Sequence, residues 1–159
     1  MSKPMTLELV HLKTKNNRLE TIKQLNLWGN DLDDIQIVQQ MQALETLSLA
    51  VNKVTSLRDI QGCKNLRELY MRNNKLTSLV EIPKYLSPLR YLKKLSLNEN
   101  PFCDHAKYRA FVIKSLPQLE SLDNQDVTSD ERRKIEAYSL EDLLAAGGGA
   151  GVGVSYPSE

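Results

Sequence analysis

Apolar residues return along this chain in one frame, LxxLxLxxNxL, with polar residues filling the gaps. The frame occupies "IKQLNLWGNDLDDI" (22–35), "LETLSLAVNKVTSL" (44–57), "LRELYMRNNKLTSL" (66–79) and "LKKLSLNENPF" (92–102). Inside each copy the central apolar pair stands two residues apart, the spacing of a strand with one buried face. The asparagines Asn30, Asn52, Asn74 and Asn100 fall 22, 22 and 26 residues apart, the longest interval holding an insertion around "EIPKYLSP". A strand recurring at this period predicts a solenoid of stacked coils, each burying its apolar face against the next. Between strands, Val54, Leu57, Ile60, Cys63 and Leu66 recur every third position, which suits a tight or short helical return path.

Each position in the frame has a physical task. Leu47, Leu49, Leu69 and Met71 stack on their counterparts in neighbouring coils. An asparagine amide both donates and accepts, so the four asparagines read as partners for backbone groups at buried bends rather than as ligands for anything else. Cys63 joins the apolar series and reads as a small buried residue.

A solenoid exposes core at both ends and needs atypical caps. Residues 1–18 form the N-terminal one, "MTLELVHLKTKN" making an amphipathic turn that buries Leu9 and Leu12 and leaves His11, Lys13 and Lys15 outward. Repeats fill 19–102. The C-terminal cap, 103–138, opens with a helix carrying Tyr108, Phe111 and Val112 on one face, limited by Pro117. "LESLD" (119–123) repeats the strand frame, and Thr128 with Glu131 forms a capping box for a helix burying Ile135 and Tyr138. Residues 139–159 hold five of the seven glycines and read as a flexible tail or linker. No GK[ST] follows those glycines and no strand precedes them, which argues against a phosphate loop.

Composition removes several classes of function. With 21 Lys and Arg against 20 Asp and Glu, the formal charge is +1, so no global field draws the chain to nucleic acid or an anionic membrane. Arg90, Lys93 and Lys94 cluster in "LRYLKKL", but without the interleaved aromatics of a nucleic-acid face, and read as a solvated edge. No apolar run approaches the roughly 20 residues of a membrane span, and the start lacks a signal peptide's apolar stretch. Two cysteines outside any CxxC pair fit a reducing, intracellular setting. "CDHAKY" reads as a polar turn rather than a metal or nucleophile site, because three adjacent residues do not converge on one ion. His11 and His105 belong to opposite caps. The chain reads as a non-enzyme that needs no cofactor or metal.

If the strands line the inside of an arc, their outward residues form columns about 4.8 Å apart from strand to strand. One runs Gln24, Thr46, Glu68, Lys94; the next Asn26, Ser48, Tyr70, Ser96; the third Trp28, Ala50, Arg72, Asn98. Most are small or polar, so Trp28, Tyr70 and Arg72 stand above a low surface, and these are the residue types most enriched at binding hot spots. We therefore expect a protein partner on the concave face, contacted by Trp28, Tyr70 and Arg72 with Asn26, Glu68, Lys94 and Asn98 around them. Small Ser48 and Ala50 leave space for a partner side chain in a shared pocket. The competing reading packs Trp28 down over Gly29 and the N-terminal cap.

The frame resembles the leucine-rich repeat, an α/β solenoid with a parallel concave sheet and here a helical C-terminal cap. With the cap "YRAFVIKSLPQLESLDNQDVT", the likeness narrows to the small leucine-rich-repeat group that includes the nuclear phosphatase regulator, the U2 snRNP A-prime protein and an axonemal dynein light chain. Across residues 5–138, "LNLWGNDLDDI", "LSLAVNKVTSL", "LRELYMRNNKLTSLVEI" and "LSLNENP" are most similar to the ciliopathy-linked cilia- and flagella-associated leucine-rich-repeat family. That resemblance implies an adaptor at the basal body acting in ciliogenesis, located in cytoplasm, cytoskeleton and the ciliary or flagellar base, and associated with a NIMA-related kinase. It also implies a C-terminal helical oligomerisation segment, which this sequence lacks, so the chain is expected to be monomeric. The alternative from the same group is a ribonucleoprotein scaffold like the U2 A-prime protein, holding an RNA-binding partner in the arc.

Overall fold

The computed structural model describes residues 1–147. Strands β1 (Gln24–Asn26), β2 (Thr46–Ser48), β3 (Glu68–Tyr70), β4 (Lys94–Ser96) and β5 (Ser121–Leu122) lie parallel in chain order, and β6 (Gln125–Asp126) turns back antiparallel on β5. Leu25, Leu47, Leu69, Leu95 and Leu122 pair in one row across the sheet, and all are buried. Leu27, Leu49, Met71 and Leu97 form a second buried row. Return paths contain single turns of 3₁₀-helix at Gln36–Gln40 and Arg58–Ile60, and Val54, Leu57, Ile60, Cys63 and Leu66 are all inside. The coil with the insertion widens instead into a π-helical turn, Ile82–Leu86.

Asn52, Asn74 and Asn100 do the work expected of them, whereas Asn30 is half-exposed and its side chain bonds only the Trp28 carbonyl. Asn52 accepts from the backbone N–H groups of Asn30 (3.1 Å) and Leu32 (2.8 Å) and donates to the carbonyls of Leu27, Leu49 and Ala50 at 3.0–3.2 Å. Asn100 serves Asn74 N–H, Leu76 N–H and the carbonyls of Met71 and Leu97 in the same way. Just before each asparagine the chain turns left-handed, with φ of 71° at Gly29, 59° at Val51, 58° at Asn73 and 64° at Glu99. Gly29 adopts this freely, whereas a β-branched valine there is strained.

At the N-terminal end, α1 (Leu7–Thr14) is capped by the Thr6 hydroxyl, which accepts from Leu9 N–H at 3.1 Å. The expectation of a buried Leu12 fails: Val10 is fully inside, Leu9 is half-buried and Leu12 is 62% exposed. Residues two apart on an α-helix point roughly 200° apart, so once Val10 faces the core Leu12 cannot.

At the other end, α2 (Tyr108–Ser115) buries Tyr108, Phe111 and Val112 and stops before Pro117. Asp123 and Asn124 link β5 to β6 with φ of 53° and 66°, the two positive values of a type I′ hairpin turn. Thr128 caps α3 (Ser129–Lys134) by accepting from Glu131 N–H at 3.0 Å. Yet α3 buries none of its own residues; Ile135 is half-buried and Tyr138, expected inside, is 51% exposed. The helix is held by polar contacts instead. The Arg132 guanidinium donates to the carbonyls of Ile113, Leu116 and Leu119 at 2.8–3.0 Å, tying α3 to the end of α2 and the turn that follows it.

The reading of 139 onward as a flexible tail also meets a helix: α4 (Leu140–Gly147) begins at a reciprocal Ser139–Asp142 cap and packs Leu143 and Leu144 into the core beside α2. The folded cap therefore runs past 138. The rest of the glycine-rich stretch lies outside the described residues.

Candidate interaction face

The register sets Gln24, Thr46, Glu68 and Lys94 in one row and Asn26, Ser48, Tyr70 and Ser96 in the next. One strand end beyond them stands Trp28, 58% exposed, while Ala50 on the adjoining coil is buried. Backbone bonds fix Trp28 from both sides: its N–H donates to Asn26 Oδ1 (3.1 Å) and its carbonyl accepts from Asn30 Nδ2 (3.0 Å). The indole is left outside. It lines an open cleft of about 590 Å³ with Lys13, Thr14, Gln24 and Asn26, between the last turn of α1 and β1.

Tyr70 and Arg72 do not line that cleft. They belong to the third coil, two strands from Trp28, a separation of roughly 10 Å at the spacing of a sheet. The Tyr70 hydroxyl donates to Glu68 Oε1 at 2.6 Å; burial and that carboxylate push its pKa up to about 12. Arg72 pairs with Glu99 at 3.0 Å. Asn98 accepts from the Ser96 hydroxyl at 2.9 Å and is half-buried, while Lys94 is exposed. The seven residues thus share one face, but Trp28 and Asn26 belong to its N-terminal end and the others to its middle. Sequence reasoning missed Lys13 and Thr14, because nothing in the repeat frame shows that α1 ends beside β1.

Elsewhere the polar groups are occupied by structure. The Cys103 thiol donates to Leu97 O at 3.0 Å and burial raises its pKa; burial pushes the Cys63 thiol up to about 12. The His105 ring accepts from Lys107 N–H (3.0 Å) and bonds the Leu144 carbonyl (2.9 Å). Lys93 pairs with Glu120 at 3.7 Å, and the Arg90 guanidinium lies over the Tyr91 ring at 5.6 Å. Among the described residues no group of three His, Cys, Asp or Glu could hold a metal ion, and no helix is long and apolar enough to cross a membrane.

Short parallel strands repeated at 22 to 26 residues, buried asparagines at the second, third and fourth bends and helical end caps define a leucine-rich-repeat solenoid. The leucine-rich repeat family model matches residues 9–141, and the chain belongs to that family, whose domains generally mediate protein–protein binding. It is 38% identical over 155 residues to the human cilia- and flagella-associated protein 410, covering 96% of this chain and 60% of that protein. The mouse protein of the same name is 38% identical over 129 residues, covering 80% of this chain and 51% of its own length. The chain therefore spans 60% or less of these relatives. Among solved structures, the Drosophila melanogaster SNF/U2A' complex contains a chain that superposes with a TM-score of 0.63, covering 86% of this chain and 92% of that one. At 19% identity the likeness is one of fold alone.

Proposed function

We propose that this chain is a non-catalytic protein-interaction module, an adaptor at the ciliary or flagellar base that holds a protein partner on its concave face. The observation that carries the binding reading is the exposed indole of Trp28 on a sheet face of mostly small and polar residues. Burying an indole supplies a large apolar area at little entropic cost, which is why tryptophan anchors interfaces. The ciliary setting is supported by the similarity to cilia- and flagella-associated proteins over nearly the whole chain. Trp28 and Asn26 anchor one end of the face; Tyr70, Arg72, Glu68, Lys94 and Asn98 supply polar contacts further along.

Combining Trp28→Ala with Arg72→Ala tests the site. Truncating a true hot spot costs about 2 kcal/mol or more of binding, roughly a thirtyfold loss, with little effect on folding when the side chain is exposed. The double variant is expected to melt like the wild type and to lose its partner in a pull-down, for which a NIMA-related kinase is the first candidate. Unfolding would show that Trp28 packs rather than recognises; unchanged capture would move the site elsewhere. Tagged protein at the basal body supports the ciliary assignment, and nuclear accumulation would favour the ribonucleoprotein alternative.

A further inference from the structure

β1 ends the sheet, so one of its edges has no neighbouring strand. Leu27 and Gly29 donate their backbone N–H groups to Ser48 O and Ala50 O at 2.9 and 3.0 Å. Alternate residues of a parallel strand turn their backbone groups to opposite sides, so Gln24 and Asn26 present theirs along the open edge. The cleft beside that edge is rich in donors. Lys13 brings an ammonium, Gln24 and Asn26 bring amides, and Trp28 an indole N–H. The Asn26 carbonyl oxygen is already taken by Trp28 N–H, which leaves its NH₂ as the available group. Thr14 spends its hydroxyl proton on Val10 O, and no carboxylate lines the cleft.

An occupant that matches this set offers acceptors and negative charge to Lys13, an apolar group to the indole, and an extended backbone to the strand edge. We infer that the cleft takes an acidic, extended segment of a protein partner, laid along the free edge of β1 with a carboxylate against Lys13 and an apolar side chain over Trp28. This rests on the proposed reading of the concave face as a protein-binding surface and names the chemistry it selects.

Trp28 is the one tryptophan in the sequence, so its fluorescence reports on this cleft directly. Selection of a random peptide library on the immobilised full chain, followed by titration of the enriched peptides against Trp28 emission, tests the inference. Enriched peptides are expected to be rich in Asp and Glu, to shift the emission, and to bind Lys13→Glu about tenfold more weakly because like charges then face each other. They should also lose more binding to Asn26→Pro than to Asn26→Ala, since both variants remove the side-chain amide and only proline removes an edge N–H as well, at a place where an edge strand tolerates it. Should Asn26→Pro melt far below Asn26→Ala, Lys13→Glu decides. Enrichment of neutral or basic peptides, indifference to Lys13→Glu, or no enrichment overturns the inference. If such non-acidic peptides are still lost on Trp28→Ala, the protein-binding reading survives; if binding is untouched by Trp28→Ala, it falls as well.

Discussion

Asn30, in the first coil, is half-exposed and its side chain bonds one carbonyl, that of Trp28; Asn100, in the fourth, is buried and its amide serves four backbone groups. The same contrast runs through the two ends of the solenoid. The C-terminal end is closed by α2, a hairpin that reverses the sheet, and two further helices, with Arg109 and Arg132 donating across them. The N-terminal end has one short helix, an unpaired strand edge and an exposed indole. A solenoid must cap its core at both ends, but only an end left partly open can offer backbone and aromatic surface to another chain. Helices and arginine contacts shut one end of the sheet, and the Trp28 anchor is proposed at the other.

The largest expected effect comes from removing the closed end. A chain ending at His105 should be insoluble or loosely folded, because it bares the Leu95 and Leu97 rows, whereas removing 148–159 should leave the melting curve unchanged. A well-folded product lacking the cap would contradict the closed-end description. Next is the asparagine pair: Asn52→Ala should cost about 3 kcal/mol by stranding several buried backbone groups, and Asn30→Ala less than about 1 kcal/mol. Equal losses in chemical denaturation would erase the difference between first and second coils.

Glu131 gives a pH test confined to the C-terminal end. Its carboxylate accepts from Arg109 Nε at 2.7 Å, and that hydrogen bond holds its pKa below the ordinary 4.5 despite partial burial. A depressed carboxylate stabilises the fold above its unfolded pKa and loses that contribution as pH falls through the folded one. Wild type should therefore exceed Glu131→Gln by about 1.5 kcal/mol at neutral pH, and the gap should close below pH 4.5. A gap that persists in acid would assign the effect to packing. Smallest is the left-handed bend: Val51→Asn should stabilise by about 1 kcal/mol by relieving a β-branched residue at positive φ, and Gly29→Val should cost a similar amount in the first coil. Thermal melts of both would check whether the two bends are equivalent.

The repeats were legible because each coil states the same pattern: the offsets of Asn30, Asn52 and Asn74 already contain the register that pairs Thr46 with Glu68. Trp28 could be placed on the outer face from alternation within β1. What could not be read lies where repetition stops. Leu12 and Val10 are both apolar, and only the docking of α1 on β1 decides which is inside. Leu143 and Leu144 sit beside a glycine run that masks a two-turn helix. The contacts of Arg109 with Glu131 and of Arg132 with three carbonyls join residues 13 to 22 positions apart, outside any local pattern. Lys13 was missed for the same reason.

The asparagine ladder points one way. Asn52 bonds Leu27 O, Asn74 bonds Leu49 O and Asn100 bonds Met71 O, so every coil has its bend completed by the coil that follows. A ribosome releases the chain in the opposite sense of need, N-terminal residues first. Each coil therefore leaves the exit tunnel with carbonyls and amides unsatisfied and waits 22 to 26 residues for the amide that finishes it. The fourth coil waits for Asp123, whose carboxylate accepts from Leu97 N–H at 2.7 Å. During translation the molecule would zip up one repeat behind its own synthesis, and a pause after any repeat would leave the newest coil unfinished rather than the oldest.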